Sequence, residues 1–327
     1  MSAPLVSVEN LTISLPAADG RRLFPVRDVS FSIGAGEILG IAGESGSGKT
    51  ITALGLMGLL PPGGRVSGRI LFEGRDLVGL DPAENRALLG RDIAMVFQDP
   101  MTALHPMLSI ERQMTEHLRH HRGLDRKAAR ARAIELLDLV RIPDAEGALK
   151  RYPHQFSGGM RQRVAIAMAL SCGPRLLLAD EPTTALDVTV QAGILRLLHR
   201  LREELGLSVV IITHDMGVMS ALADRVAVMY AGRIVEEGPR GKVLAASRHP
   251  YTAGLLGALP HHEGDAVTLE ALPGAPPAIG ALPPGCPFHP RCRWALPACT
   301  AAEPDLMSVG PAHAIACPVD PLAEVAA

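Results

Sequence analysis

Hydrophobic and polar positions change rhythm several times along this chain, and each change marks an element. Over 6–15, "VSVENLTISL", Leu11, Ile13 and Leu15 alternate with polar residues, the two-residue period of a half-buried strand. A turn at "AADG" and a second strand, "VRDVSFSI", follow, and "EILGIAG" (37–43) reads as a buried strand. Three more apolar runs, "DIAMVF" (92–97), "LLLA" (176–179) and "LSVVII" (207–212), predict buried strands with helical patterns between them. In "VTVQAGILRLLHRLREELG", Val190, Ile194, Leu197, Leu198, Leu201 and Leu205 fall on one helix face, and Gly206 follows as the cap. Strands alternating with helices predict an α/β fold with a mainly parallel sheet. The early strands predict a small antiparallel piece beside it, and 100–165, helical without strand patterns, an inserted helical subdomain.

After about residue 240 the rhythm stops. "ALPGAPPAIGALPPGCPFHP" is too rich in proline and glycine for regular helix or central strand. We therefore expect one domain over 1–240 and a small irregular extension over 241–327. A length of 327 residues fits one large domain plus an appendage. The composition, 47% hydrophobic and 20% charged, is that of a globular protein, and a net charge of −2 disfavours a general nucleic-acid binder. "MSAPLVSVENLTISL" lacks the charged and apolar regions of a secretory signal, and no apolar run is long enough to span a membrane. A cytosolic setting, where thiols stay reduced, is expected.

"GESGSGKT" matches G-x-x-x-x-G-K-[ST], follows a predicted strand and precedes the helical "TITALGLMGLL". Gly43, Glu44, Ser45, Gly46, Ser47, Gly48, Lys49, Thr50 and Ile51 make up this loop and the start of its helix. Glycines let main-chain N–H groups curl around phosphate oxygens, and the helix N-terminus adds roughly half an elementary charge. Lys49 suits the β- and γ-phosphates of ATP, and Thr50 suits Mg²⁺. A glycine-rich turn without ligand is the alternative, and the strand–loop–helix context argues against it.

Ligands of open α/β sheets bind beyond the carboxyl ends of the strands. Here those ends carry the phosphate loop, Gln98, Asp180 with Glu181, and His214. Asp180 suits Mg²⁺, with Thr50 and Gln98 as the other side chains on the metal. Glu181 can activate the attacking water, and His214 can bond the γ-phosphate. Singly, Gln98 or His214 would read as an ordinary polar strand end; together the four ends describe one catalytic site.

These residues resemble the ABC transporter ATPase family. "FSGGMRQRVAIAMAL" (156–170) resembles its signature motif, "LLLADEPTTALD" (176–187) its Walker B strand, catalytic Glu and D-loop with Asp187, "FQDP" its Q-loop and "THD" its switch histidine. Phe24 lies where the family places an aromatic against adenine. The resemblance covers about 5–240 and implies a P-loop NTPase (RecA-like) core. It also implies that Ser157, Gly158 and Gly159 bind the ATP of a second ATPase subunit across a dimer interface. Phe156 replaces the family's Leu and Met160 its Gln, so any contact made by that Gln amide is lost.

"HPYTAGLLGALP" (249–260) and the following proline-rich stretch resemble the C-terminal extension of the oligopeptide/dipeptide branch, which also includes nickel importers. "QDPMTALHP" (98–106) resembles its Q-loop. That branch implies two membrane-spanning permeases, a second ATPase, identical or different, and an extracytoplasmic solute-binding protein, with this chain peripheral on the cytoplasmic face of the inner membrane and no nucleic-acid partner. The alternatives are an importer of nickel or another small solute, or a soluble ABC ATPase without a membrane partner. The latter usually has two cassettes or a coiled-coil insertion, and neither is present.

Cys286, Cys292, Cys299 and Cys317 are separated by five, six and seventeen residues. Four thiolates in a reducing compartment suit an iron–sulfur cluster or zinc, and unliganded thiols remain the third reading. The branch resemblance implies a [4Fe–4S] cluster. His289 and His313 are possible substitute ligands, though surface histidines are commoner. Cys172 reads as a small buried hydrophobe.

Overall fold

The computed structural model describes residues 3–184, 186–259, 261–263, 266–268 and 272–319, with backbone only for the two short stretches between 260 and 271. They form two compact units. One contains residues up to Ile33, Ile38–Val78 and the chain from Thr213 onward; the other contains Gly34–Glu37 and Gly79–Ile212.

The first unit holds the expected antiparallel piece. Its strands lie in the order Arg22–Ile33, Val6–Pro16, Arg65–Phe72, Arg75–Asp76. Leu11, Ile13, Val26 and Val29 are fully buried, as the alternation requires, whereas Leu15 is only half-buried. The register shifts between Val8 and Leu11, where Asn10 adopts φ 50° and its side-chain amide donates to Asp28 at 2.9 Å. A Cβ on Gly68 would lie 2.4 Å from the carbonyl oxygen of Asn10, so this bulge requires glycine opposite it.

The same unit contains strands in the order Met307–Gly310, His313–Ile315, Arg233–Pro239, Arg225–Tyr230, Ile38–Ala42. Ile38–Ala42 runs parallel to Arg225–Tyr230, with Leu39 opposite Arg225, and the remaining pairs are antiparallel. The extension thus contributes two strands. Glu236, fully buried, ties it in further: its carboxylate accepts the main-chain N–H groups of Arg248 (2.9 Å) and His249 (3.1 Å) and meets His313 Nε2 at 2.8 Å.

In the second unit, Leu176–Asp180 lies between Ile93–Val96 and Ser208–Thr213, and all three are parallel. The unbroken apolar run of Leu176–Ala179 is explained by burial on both faces. The helical subdomain contains Ile110–Arg122, Arg126–Leu139 and Gly158–Ala169. Ser109 and Asp125 cap the first two, and Gly123 ends the first at φ 64°. The helix Val188–Leu205 buries Ile194, Leu197, Leu198 and Leu201 as expected. Leu205, expected on that face, is half exposed at the last turn. Among the described residues, no helix is long and apolar enough to cross a membrane.

Candidate nucleotide site

The strand Ile38–Ala42 delivers the chain into the glycine-rich loop, and the helix Lys49–Met57 carries it away. Gly43, Gly46 and Gly48 take φ 147°, 81° and 107°. At Gly43 a Cβ would stand 2.3 Å from the Met229 carbonyl oxygen, and at Gly48 2.5 Å from that of Pro25. Both contacts are with backbone, so the tight curl is possible only for glycine. Gly48 is the helix N-cap, and no side chain caps that end. The Lys49 ammonium is buried and donates to the carbonyl oxygens of Gly43 (2.7 Å) and Glu44 (2.8 Å). Ser47 is buried and its carbonyl accepts from Gly232 at 3.0 Å; Thr50 is exposed and Ile51 half-buried on the first helical turn. Phe24 is 45% exposed on its strand, so its ring face is available to a base. His214 is exposed, directly after Thr213, and Asp215 caps the next helix by accepting from Gly217 (2.7 Å) and Val218 (3.3 Å).

Glu44 is more constrained than its sequence suggests. Its carboxylate accepts a two-pronged pair from Arg291 (2.7 and 3.0 Å), and its N–H donates to the hydroxyl of Tyr251 at 2.8 Å. Arg291 is 5% exposed at the side chain and also donates to the Tyr230 hydroxyl (3.3 Å) and the Pro273 carbonyl (2.8 Å). Tyr230, Tyr251 and Phe288 pack together with ring centroids 4.5–5.3 Å apart. The hydrogen bonds from Arg291 to Glu44, then to Tyr230, hold the guanidinium protonated well above its ordinary range, and burial pushes both tyrosine hydroxyls up. Sequence reasoning identified Glu44 only as a loop residue. Tyr251 and Arg291 lie in stretches that carry the branch resemblance, but nothing local assigns them or Tyr230 to the nucleotide loop, and Arg291 lies 247 positions away.

The second unit holds the carboxylates. Asp180 ends its strand and is 3% exposed. Glu181, next in the chain, takes φ 44°, a left-handed conformation that costs a non-glycine residue about 1–3 kcal/mol. Its N–H donates to Ile212, and its carboxylate accepts from Gln98 Nε2 at 3.0 Å and Thr184 Oγ1 at 2.8 Å. The structure therefore brings Gln98 and Glu181 together and adds Thr184, which sequence reading left unassigned.

Ser157 and Gly158 are exposed at the start of the helix Gly158–Ala169, and Ser157 Oγ accepts the N–H of the half-buried Met160 at 3.4 Å. Phe156, the departure from the family pattern, is buried, with the Arg151 guanidinium 4.2 Å from its ring centroid. Gly159 is buried against Val190. Asp187 caps the next helix, accepting from Val190 N–H at 2.9 Å.

Cys286, Cys292, Cys299 and Cys317 form no disulfide among the described residues. Cys286 N–H donates to the Cys299 carbonyl at 2.8 Å, and the sulfurs of Cys286, Cys292 and Cys317 face the main-chain N–H groups of Phe288, Trp294 and Val319. Burial raises all three thiols, with neighbouring cysteines adding, and Cys317 is pushed up to about 12. Among the described residues, no three His, Cys, Asp or Glu side chains are grouped to hold one metal ion. His289 bonds the Cys286 carbonyl at 2.9 Å. His313, expected at the surface, is instead buried against Glu236, because the extension's strand carries it inside. Cys172 is buried, as expected.

Residues 26–184 match the ABC transporter family and residues 235–299 match the oligopeptide/dipeptide transporter C-terminal region. The chain is 48% identical to the oligopeptide transport ATP-binding protein OppD of Haemophilus influenzae over 91% of its own length and 92% of that protein's. It is also 48% identical to the dipeptide transport ATP-binding protein DppD of Bacillus subtilis, over 96% and 94%. A dimeric ATP-binding cassette in a post-hydrolysis state with ADP and Pi superposes with TM-score 0.64 and 31% identity, covering 72% of this chain and 98% of that one. With its phosphate loop, Walker B carboxylates and matched C-terminal region, the chain belongs to the ABC transporter family, in the branch that carries the oligopeptide/dipeptide transporter C-terminal region.

Proposed function

We propose that this chain binds and hydrolyses ATP to power the import of di- or oligopeptides. The observation that carries the hydrolytic half is Glu181, whose carboxylate is fixed by Gln98 and Thr184 at the end of an apolar strand. A carboxylate so held can accept the proton of an attacking water. Gly43–Ile51 would hold the phosphates, Phe24 the base, and His214 the γ-phosphate. Thr50, Gln98 and the buried Asp180 are oxygen donors of the kind Mg²⁺ takes, and the metal would offset phosphate charge during in-line attack. The relatives' names support peptide as the cargo.

The working unit would be two ATPase subunits, identical or different, with Ser157, Gly158, Gly159 and Met160 of each facing the other's ATP and Asp187 beside them. Two permeases and an extracytoplasmic solute-binding protein would complete it, with this chain on the cytoplasmic face of the inner membrane. Functionally we divide the chain at residue 240, with the helical subdomain near 100–165 pressing on the permeases. Cys286, Cys292, Cys299 and Cys317 would hold a [4Fe–4S] cluster. The reading rests on the four cysteines and on the main-chain N–H groups facing three of the sulfurs, which would bond to cluster-bound thiolates. Such a group would staple a tail with few aromatic residues and little apolar periodicity.

The test is uptake by the complex reconstituted in vesicles. Peptides, but not nickel, should enter with ATP. Glu181→Gln should bind ATP yet release phosphate about 100-fold slower or worse. Near-normal hydrolysis would remove Glu181 from the role of base, and nickel uptake alone would change the cargo.

A further inference from the structure

Glu44 stands at the second position of the phosphate loop, and each of its polar groups is engaged. Its carbonyl accepts from Lys49, its N–H donates to Tyr251, and its carboxylate is clamped by Arg291. Two of those three partners come from the chain beyond residue 240. An unpaired carboxylate here would repel a triphosphate arriving at the same loop, whereas a two-pronged guanidinium pair cancels its charge and fixes its direction. Arg291 is itself pinned by Pro273 and Tyr230, so it cannot leave the pair cheaply. Pro276–Ile279 of the same extension face Glu44–Ser47 across a cavity of about 290 Å³.

We infer that Arg291, through its ion pair with Glu44, is a positioning residue that keeps the phosphate loop shaped and electrically receptive for nucleotide, so that the C-terminal extension is part of the ATP site. This rests on the reading of Gly43–Thr50 as the phosphate loop. It adds a role that no motif in the extension announces.

The experiment is equilibrium titration of the purified full-length chain with Mg-ATP, alongside unfolding midpoints and, in the reconstituted complex, KM and kcat for ATP. Arg291→Ala should weaken ATP binding about tenfold. In the complex it should raise KM while leaving kcat within about twofold. Glu44→Gln with Arg291→Ala should bind better than Arg291→Ala alone, because the repelling charge is gone. Arg291→Lys should recover part of the loss. A residue serving only to hold the fold would shift the unfolding midpoint without changing the ATP affinity of the folded chain. Unchanged affinity in folded Arg291→Ala, or simple addition of the two losses, overturns the inference. If Arg291→Ala does not fold, Arg291→Lys decides: weaker binding relieved by Glu44→Gln supports the inference, and wild-type affinity overturns it. Lys49→Ala is the separate arm. Its loss of ATP binding supports the phosphate-loop reading, and wild-type binding by that variant would remove that reading whatever Arg291 does.

Discussion

His249 shows how far a single side chain can be fixed by its surroundings. It is 1% exposed, its Nδ1 accepts the N–H of Tyr251 at 3.1 Å, and burial lowers its pKa from 6.5 to about 3. The folded protein keeps this imidazole neutral, while the unfolded chain takes up a proton below about pH 6.5. Its contribution to stability is therefore full above that pH and falls as pH drops toward 3, by about 2 kcal/mol at pH 5. His249→Asn keeps a short acceptor at the helix N-cap and removes the titration. Its unfolding midpoint should fall less steeply than wild type between pH 7 and 5, and equal slopes would assign the effect to another group. At this scale the phosphate loop, Asp180 and Glu181 were legible because each motif is contiguous in the chain. Arg291 and Tyr251 were not, since their meaning lies in a partner about 200 or more positions away.

Between elements, the contact of Gly159 with Val190 shows what sets the spacing of two helices. A Cβ on Gly159 would meet Val190 Cγ1 at 2.4 Å, and a branched side chain cannot swing clear as a long flexible one could. Replacing a helical glycine by alanine ordinarily gains up to about 1 kcal/mol, but overpacking of this kind costs about 1–3 kcal/mol, so the clash wins. Gly159→Ala should lower the unfolding midpoint, and Val190→Ala in the same chain should restore part of it. A stabilised Gly159→Ala would mean the helices part freely. Periodicity located both helices but not this constraint, because it reports which face is apolar and not how closely the faces approach. It also placed Leu205 inside, where the helix's last turn has already left the core. The strands Met307–Gly310 and His313–Ile315 escaped notice for a related reason: three or four residues are too few to show alternation.

For the molecule as a whole, the extension is woven into the unit that holds the phosphate loop, through Glu236 with His313, Arg27 with Glu303 (2.8 Å) and Arg291 with Glu44. Protein purified without oxygen should carry iron and acid-labile sulfide and absorb broadly in the visible; stripping the iron should lower its unfolding temperature. Colourless protein with zinc would reassign the four cysteines, and metal-free protein of unchanged stability would leave them as thiols. The chain order of that unit has one more consequence. Ile38–Ala42 pairs with Arg225–Tyr230, yet everything between Gly79 and Ile212 belongs to the other unit. At 5–20 residues per second, the early strand leaves the ribosome roughly ten to forty seconds before its neighbour exists. Through that interval the emerging polypeptide holds a strand edge in wait for a partner still to be translated.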